Sequence, residues 1–366
     1  MKSSLPQPTH PALSGTPLDR GNPIFSPLKR GVAQSAGVCR FDLGGSEPSR
    51  LGCLLLFFAL AVAGSAAEPV TFYPDWFPGP QFAGFYVAAD RGFFREAGLE
   101  VAFVPFKFGA KTNEAIAASS VCALGSIEGY IFLQQRAAGP DLRALAAVLQ
   151  ESPAGFMSLT ATGIASVRDF SGKRIGVHKF ADPLYHWFLH RAGMSETAAT
   201  LVPVGNDLGL LTRGEVQAMQ GYAIEEFERL QQMTGGQARF LSFRELGFDA
   251  YSEILYTTAP QHAQHHAALQ AFLAATQRGW IHALAHPDDA LAALRARLGT
   301  DFDEPYLRAS LAALAPYVSG GGPPLAPMRP EKWRQMQAAC VEMGFLAKAE
   351  PVENFLPPGP TSSPPP

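Results

Sequence analysis

The sequence predicts an α/β protein built as two lobes around a ligand cleft. From Val70 onward short β-rich runs alternate with helical patterns, which is the signature of largely parallel sheets. About ten such runs are present, more than one sheet of ordinary size takes. With 47% hydrophobic residues over 366 positions, the chain can bury cores of that extent.

Residues 1 to about 50 are rich in Pro, Ser and Gly and lack periodicity, so they predict a disordered leader. Arg50 then precedes an apolar run over residues 51–62, followed by Ser65, Ala66 and Ala67. This order predicts a signal peptide cleaved before Glu68 and export to a periplasm. The run is shorter than the ~20 residues of a membrane span. Its distance from Met1 predicts an internal translation start. Cys53 lies before the apolar run rather than after it, so it does not read as a lipid-attachment cysteine. Cleavage leaves Cys122 and Cys340, enough for one bridge at most.

Strands are expected at VTFY, LEVAFVPF, CALG, LRALAAVL, GFMSLT, KRIGV, TLVPV, VQAMQGY, ARFLSF and EILYTT. Helices are expected between most of them, including 111–119 and 127–138. Beyond Thr258 the alternation stops, and helices are expected over 261–285, 287–298, 304–317 and 330–343. The domain division is then a leader and signal peptide over 1–67, and a first lobe over 68–160. A second lobe takes 161–250, a helical return to the first lobe 251–350, and a Pro-rich tail 351–366.

Catalytic signatures are few. No GxGxxG follows a strand, and FSGKRIGV lacks the upstream glycine of a phosphate loop. GSIEG places Ser126 one position too early for a nucleophile elbow. His186/His190, His262/His266 and His282/His286 are each four apart, which is metal-ligand spacing on a helix face. None has a clear third ligand, and they read as solvated surface pairs. Lys173-Arg174 read as a solvated strand entrance. A net charge of −3 carries no nucleic-acid footprint.

The densest signal is the loop YPDWFPGPQF before the first helix. Pro74 and Pro78 stiffen it, and Gly79 permits close approach. Trp76 on such a loop at a strand's end is a stacking platform for a flat heterocycle or a cation. Core packing is the competing reading for these aromatics and the expected one for Phe85.

DWFPGPQFAGFYVAADRGFFREAGLEV resembles the first lobe of the solute-binding family related to thiamine-pyrimidine precursor synthase. Five further segments follow in register. VCALGSIEGYIFLQQRAAGPDLRALAAVLQESP is similar to its ligand loop, helix and next strand. IASVRDFSGKRIGV is similar to the entry to its second lobe. LLTRGEVQAMQGYAIEEFERL, FDAYSEILYTT and GWIHALAHPDDAL complete the order, from about residue 70 to 343. The resemblance implies a type II periplasmic-binding-protein fold with crossings near Ala161 and Tyr251. It implies a small planar heterocycle of the thiamine-pyrimidine precursor class as ligand, and an ABC permease with its ATPase as partners. A monomer without a cofactor is expected. Trp76 matches the family's stacking residue, Tyr222 its tyrosine and Glu225 its carboxylate. Ser126 and Glu128 stand in the first-lobe ligand loop, and His178 in the loop after KRIGV.

Two family positions after the Trp, usually Asn and His, read Gly79 and Phe82 here. Ala223-Ile224-Glu225-Glu226 replaces T-N-E-P. These changes predict a flatter, more apolar or differently decorated ring, and flavin precursors stay open. The enzyme that the resemblance also reaches needs a cysteine cluster for iron, whereas the corresponding stretch holds only Cys122. A sensory module on the same fold is the other alternative.

Overall fold

The computed structural model describes residues 66–178 and 181–357. The leader and the signal-peptide run lie outside the described residues. All ten expected strands form. They are β1 (Glu68–Tyr73), β2 (Leu99–Phe103), β3 (Cys122–Ile127), β4 (Leu142–Leu149) and β5 (Ala154–Leu159). Then come β6 (Arg174–Val177), β7 (Thr200–Pro203), β8 (Ala218–Tyr222), β9 (Ala238–Ser242) and β10 (Ser252–Thr258). They make two five-stranded sheets, ordered β2-β1-β3-β10-β4 and β7-β6-β8-β5-β9.

The two sheets repeat one plan. β1 runs parallel to β2 and β3, and β6 runs parallel to β7 and β8. The antiparallel member is in each case the strand that has just arrived from the other sheet. β10 runs antiparallel to β3 and β4, and β5 to β8 and β9.

This topology corrects one boundary. The crossing expected near Ala161 falls instead at residues 150–153, because β5 hydrogen-bonds with β8 and β9 of the second sheet. The return crossing lies between β9 and β10, over residues 243–251. The two connections touch, since Ser152 N–H donates to the Ala250 carbonyl at 2.8 Å. The tail is corrected as well. Val352–Asn354 forms a helical turn, and Phe355 is fully buried against Phe132 and Trp333. Residues 358–366 lie outside the described residues.

Helices cover the sheets as amphipathic layers. The expected helix over 261–285 divides at His265 into Ala259–Gln264 and His266–Ala285. The second of these lies on the helix Ala83–Asp90, where a glycine on each permits contact. A Cβ on Gly84 would come within 2.3 Å of the Trp280 ring, and one on Gly279 within 2.1 Å of the Gly84 carbonyl oxygen. Gly84→Ala is therefore expected to cost roughly 1–3 kcal/mol by overpacking, read as a lowered urea midpoint.

The first sheet's core stacks Phe72 on Phe85 at 4.9 Å and Phe94 on Phe272 at 5.1 Å. Phe82 belongs to this core. It is fully buried beside Phe85 and Tyr86. Cys122 and Cys340 are free, buried, and in separate cores. Among the described residues no helix is long and apolar enough to cross a membrane.

Candidate functional site

The carboxyl ends of β1, β3, β6 and β8 and the starts of β5 and β10 converge on one cavity of about 590 Å³. Strand ends of open α/β sheets are where backbone geometry leaves room for ligands, and this volume suits a small molecule.

Trp76, on the loop after β1, is half-buried and lines the cavity. Phe106 lies 5.4 Å from it at a tilt of 38°. Phe77 and Phe108 meet Trp76 edge-on at 5.8 and 5.6 Å. They are 46% and 73% exposed, so the aromatic wall reaches the mouth. Phe106 comes from the segment after β2, and it was absent from the sequence expectation. The alternation FKF, separated from the end of β2 by two residues, was the available signal.

The other expected residues are brought together, except Phe82. Ser126, Glu128, His178, Tyr222 and Glu225 all line the cavity with Trp76. Phe82 does not line it, because the turn Pro80–Phe82 rotates its ring into the core. Lys179, beside His178, lies outside the described residues.

The cavity is rich in carboxyl groups. Glu128 occupies the N-cap of the helix Gly129–Ala137 but does not cap it. Its Oε1 accepts from Ser152 Oγ at 3.0 Å, and Oε2 is buried without a partner. Burial pushes its carboxyl up to about 7, with Ser252 and Ser152 opposing. Glu225 stands at the N-cap of the helix Glu226–Thr234. Its Oε1 would lie 3.0 Å from a Cβ on Gly79 and has no partner. Burial, then the neighbouring Glu226, raise it to about 8. The hydroxyl of Tyr222 is 3.4 Å from Ser252 Oγ. His178 N–H donates to Gln220 Oε1 at 3.3 Å, its Nε2 has no partner, and burial lowers its pKa.

Two further acidic residues complete the site. Asp75 Oδ1 accepts from Ser126 Oγ at 2.6 Å, and Asp75 N–H donates back to the same oxygen at 3.1 Å. Asp75 also contacts the Glu253 carboxyl. Glu253 is 2% exposed, has Oε2 unpartnered, and takes φ of 50° within β10. A non-glycine residue in the left-handed region inside a strand is costly and is found where function holds it there. Burial raises both acids; their contact raises Glu253 further and opposes the rise of Asp75.

The histidine pairs lie elsewhere. His190 pairs with Glu196 at 3.2 Å and His282 with Asp289 at 2.6 Å. Among the described residues no group of three or more His, Cys, Asp or Glu is placed to hold a metal.

Two sheets joined by paired crossings, with a cavity at their strand ends, define the periplasmic-binding-protein fold. The aliphatic sulphonate binding protein SsuA of Escherichia coli shares it, with a TM-score of 0.59 and 20% identity over 75% of this chain and 91% of that one. The NMT1/THI5 like family model matches residues 79–290, and the chain belongs to that family. A Haemophilus influenzae protein named for thiamine biosynthesis is 27% identical over 81% of this chain and 94% of its own length. The riboflavin-binding protein RibY of Chloroflexus aurantiacus is 27% identical over 61% of this chain and 64% of its own. The 4-amino-5-hydroxymethyl-2-methylpyrimidine phosphate synthase of Legionella pneumophila is 24% identical over 62% and 72%.

Proposed function

We propose that this chain is an exported solute-binding protein that delivers a small planar heterocycle, of the thiamine-pyrimidine precursor class, to an ABC permease and its ATPase. The observation that carries the reading is the pairing of an aromatic wall with carboxyl groups across one 590 Å³ cavity. A flat ring stacks on Trp76, and its amino edge donates to Glu225, whose buried Oε1 has no protein partner. Relatives named for thiamine biosynthesis and for riboflavin binding fit the same chemistry, since both names concern flat nitrogen heterocycles.

A sulphonate ligand fits poorly here. Helix N-termini attract anions, but at two of those lining this cavity, the starts of Gly129–Ala137 and Glu226–Thr234, Glu128 and Glu225 already stand. Synthase activity is the less favoured reading. Cys122 is fully buried, its thiol is pushed up to about 12 by burial, and it does not line the cavity.

Mass spectrometry of small molecules released on denaturation tests the reading. A ring compound with an absorbing π system is the expected result, and a simple amino acid or a sulphonate refutes it. Trp76→Ala is expected to weaken binding of the released compound by ~1–3 kcal/mol, the worth of one base–aromatic stack. Calorimetric titration measures this, and an unchanged Kd removes Trp76 from the site.

A further inference from the structure

We infer that the cavity contains a cation subsite, in which Asp75, Glu128 and Glu253 receive a protonated amine or amidinium carried by the flat ligand. The inference rests on the heterocycle reading above and adds the ligand's charge to it.

The argument begins with unpaired oxygens. Glu253 and Glu128 are 2% and 9% exposed. Each turns one carboxyl oxygen, Oε2 in both cases, into a buried position with no hydrogen-bond partner. Both residues line the cavity beside Asp75. Buried carboxylates persist when a countercharge or donors meet them. Among the described residues none of these three acids forms an ion pair with Lys, Arg or His. The described lysines at this cavity, Lys107 and Lys111, are exposed.

Hydroxyl donors close the gap only in part. Ser126 is committed to Asp75 and Ser152 to the other oxygen of Glu128, while Ser252 and Tyr222, which also favour the Glu128 carboxylate, stand 3.4 Å from each other and leave Oε2 unpartnered. A neutral ring amine brings two N–H groups, and Glu225, beside the loop that carries Trp76, already calls for them. The floor needs a group with more donors and a positive charge. An ammonium supplies three N–H groups, and an amidinium supplies four in one plane. The Asp75–Glu253 contact is consistent with this: a shared proton relieves it without ligand, and a cation over both carboxyls would take that proton's place. Two carboxyl groups in contact repel unless they share a proton or a cation sits over both.

Benzamidine and benzamide provide the test, because they are flat and nearly equal in shape but only the first is a cation. Affinities are measured on the full chain at pH 8 by thermal shift and tryptophan fluorescence. Benzamidine is expected to bind at least ~10-fold more tightly, as charged hydrogen bonds require. Glu253→Gln and, separately, Glu128→Gln are expected to bring that ratio close to one. Both variants should melt no lower than the parent without ligand, which separates lost recognition from lost folding. Trp76→Ala should weaken both compounds alike. Equal affinity for the two compounds, with Trp76 still required, overturns the cation subsite and leaves the heterocycle reading standing. Binding of neither compound overturns both.

Discussion

The ligand-free protein is expected to become less stable as pH rises from 5 to 8, the reverse of what most carboxylates produce. Glu128 moves from 4.5 to about 7 on folding, and Glu225 to about 8. Between the unfolded and folded values the native state keeps a proton that the unfolded chain has released, so stability falls with pH. The contribution is fully present below about pH 4.5 and is lost as pH passes through the folded values. For Glu128 alone it amounts to about 3 kcal/mol. Asp75 and Glu253, raised by burial, act in the same direction. His178 opposes them below its ordinary 6.5, since burial lowers its pKa and the unfolded ring binds the proton more readily. The hydrogen-bonded surface acids Asp169, Asp207, Asp289 and Asp303 are held below the usual range and exert their effect in stronger acid. Urea midpoints at pH 5, 6.5 and 8 measure the slope. A midpoint that rises steadily to pH 8 would show that these carboxyl groups are ionised and compensated in the native state.

Lys332→Met is expected to cost roughly 2–4 kcal/mol, because it removes two hydrogen bonds made by a charged donor. Lys332 is 2% exposed on the helix Pro330–Glu342. Its ammonium donates to the Gln150 carbonyl at 2.7 Å and to Asp249 Oδ1 at 2.5 Å, and it stands 4.6 Å from the Tyr251 ring centre. Gln150 begins one crossing and Asp249 lies in the other, so one side chain ties both. Methionine replaces much of the stem's apolar volume, which confines the loss to the charge. Equilibrium denaturation reports the stability, and small-angle scattering reports whether the untied lobes spread. Unchanged stability would show that the ammonium adds nothing beyond its packing.

The strands were legible because β-branched and aromatic runs sit between glycines, prolines and charges. What that pattern omits is the identity of a strand's partners. GFMSLT reads equally well in either lobe, and only its pairing with β8 and β9 assigns it to the second. The site was legible where a residue type announces itself, as Trp76 does on a stiff loop. Phe82 was misplaced for a related reason. Its position after the Trp suggested the cleft, but a helical turn over Pro80–Phe82 points the ring the other way. Glu253 left no trace in the sequence. In SEILYTT it reads as the polar, outward residue of an alternating strand, and a single positive φ carries it to the ligand side. Asp75 adjoins the residue that drew attention, yet its role depends on Ser126, 51 positions away.

Each connecting strand enters its sheet at the cavity, so the bending points of the backbone and part of the cavity floor are the same residues. Ser152 belongs to both, and Glu253 stands at the second position of β10, just past the other crossing. The cavity therefore has two halves with different freedom to change. The aromatic wall stands on loops after β1 and β2 that lie outside both crossings, and it can accept new ring shapes by substitution. The acidic floor cannot be rewritten in that way, because altering its recognition also alters the stiffness of the joint. Across relatives that keep this architecture, ring selectivity should drift faster than the preference for the charged end of the ligand.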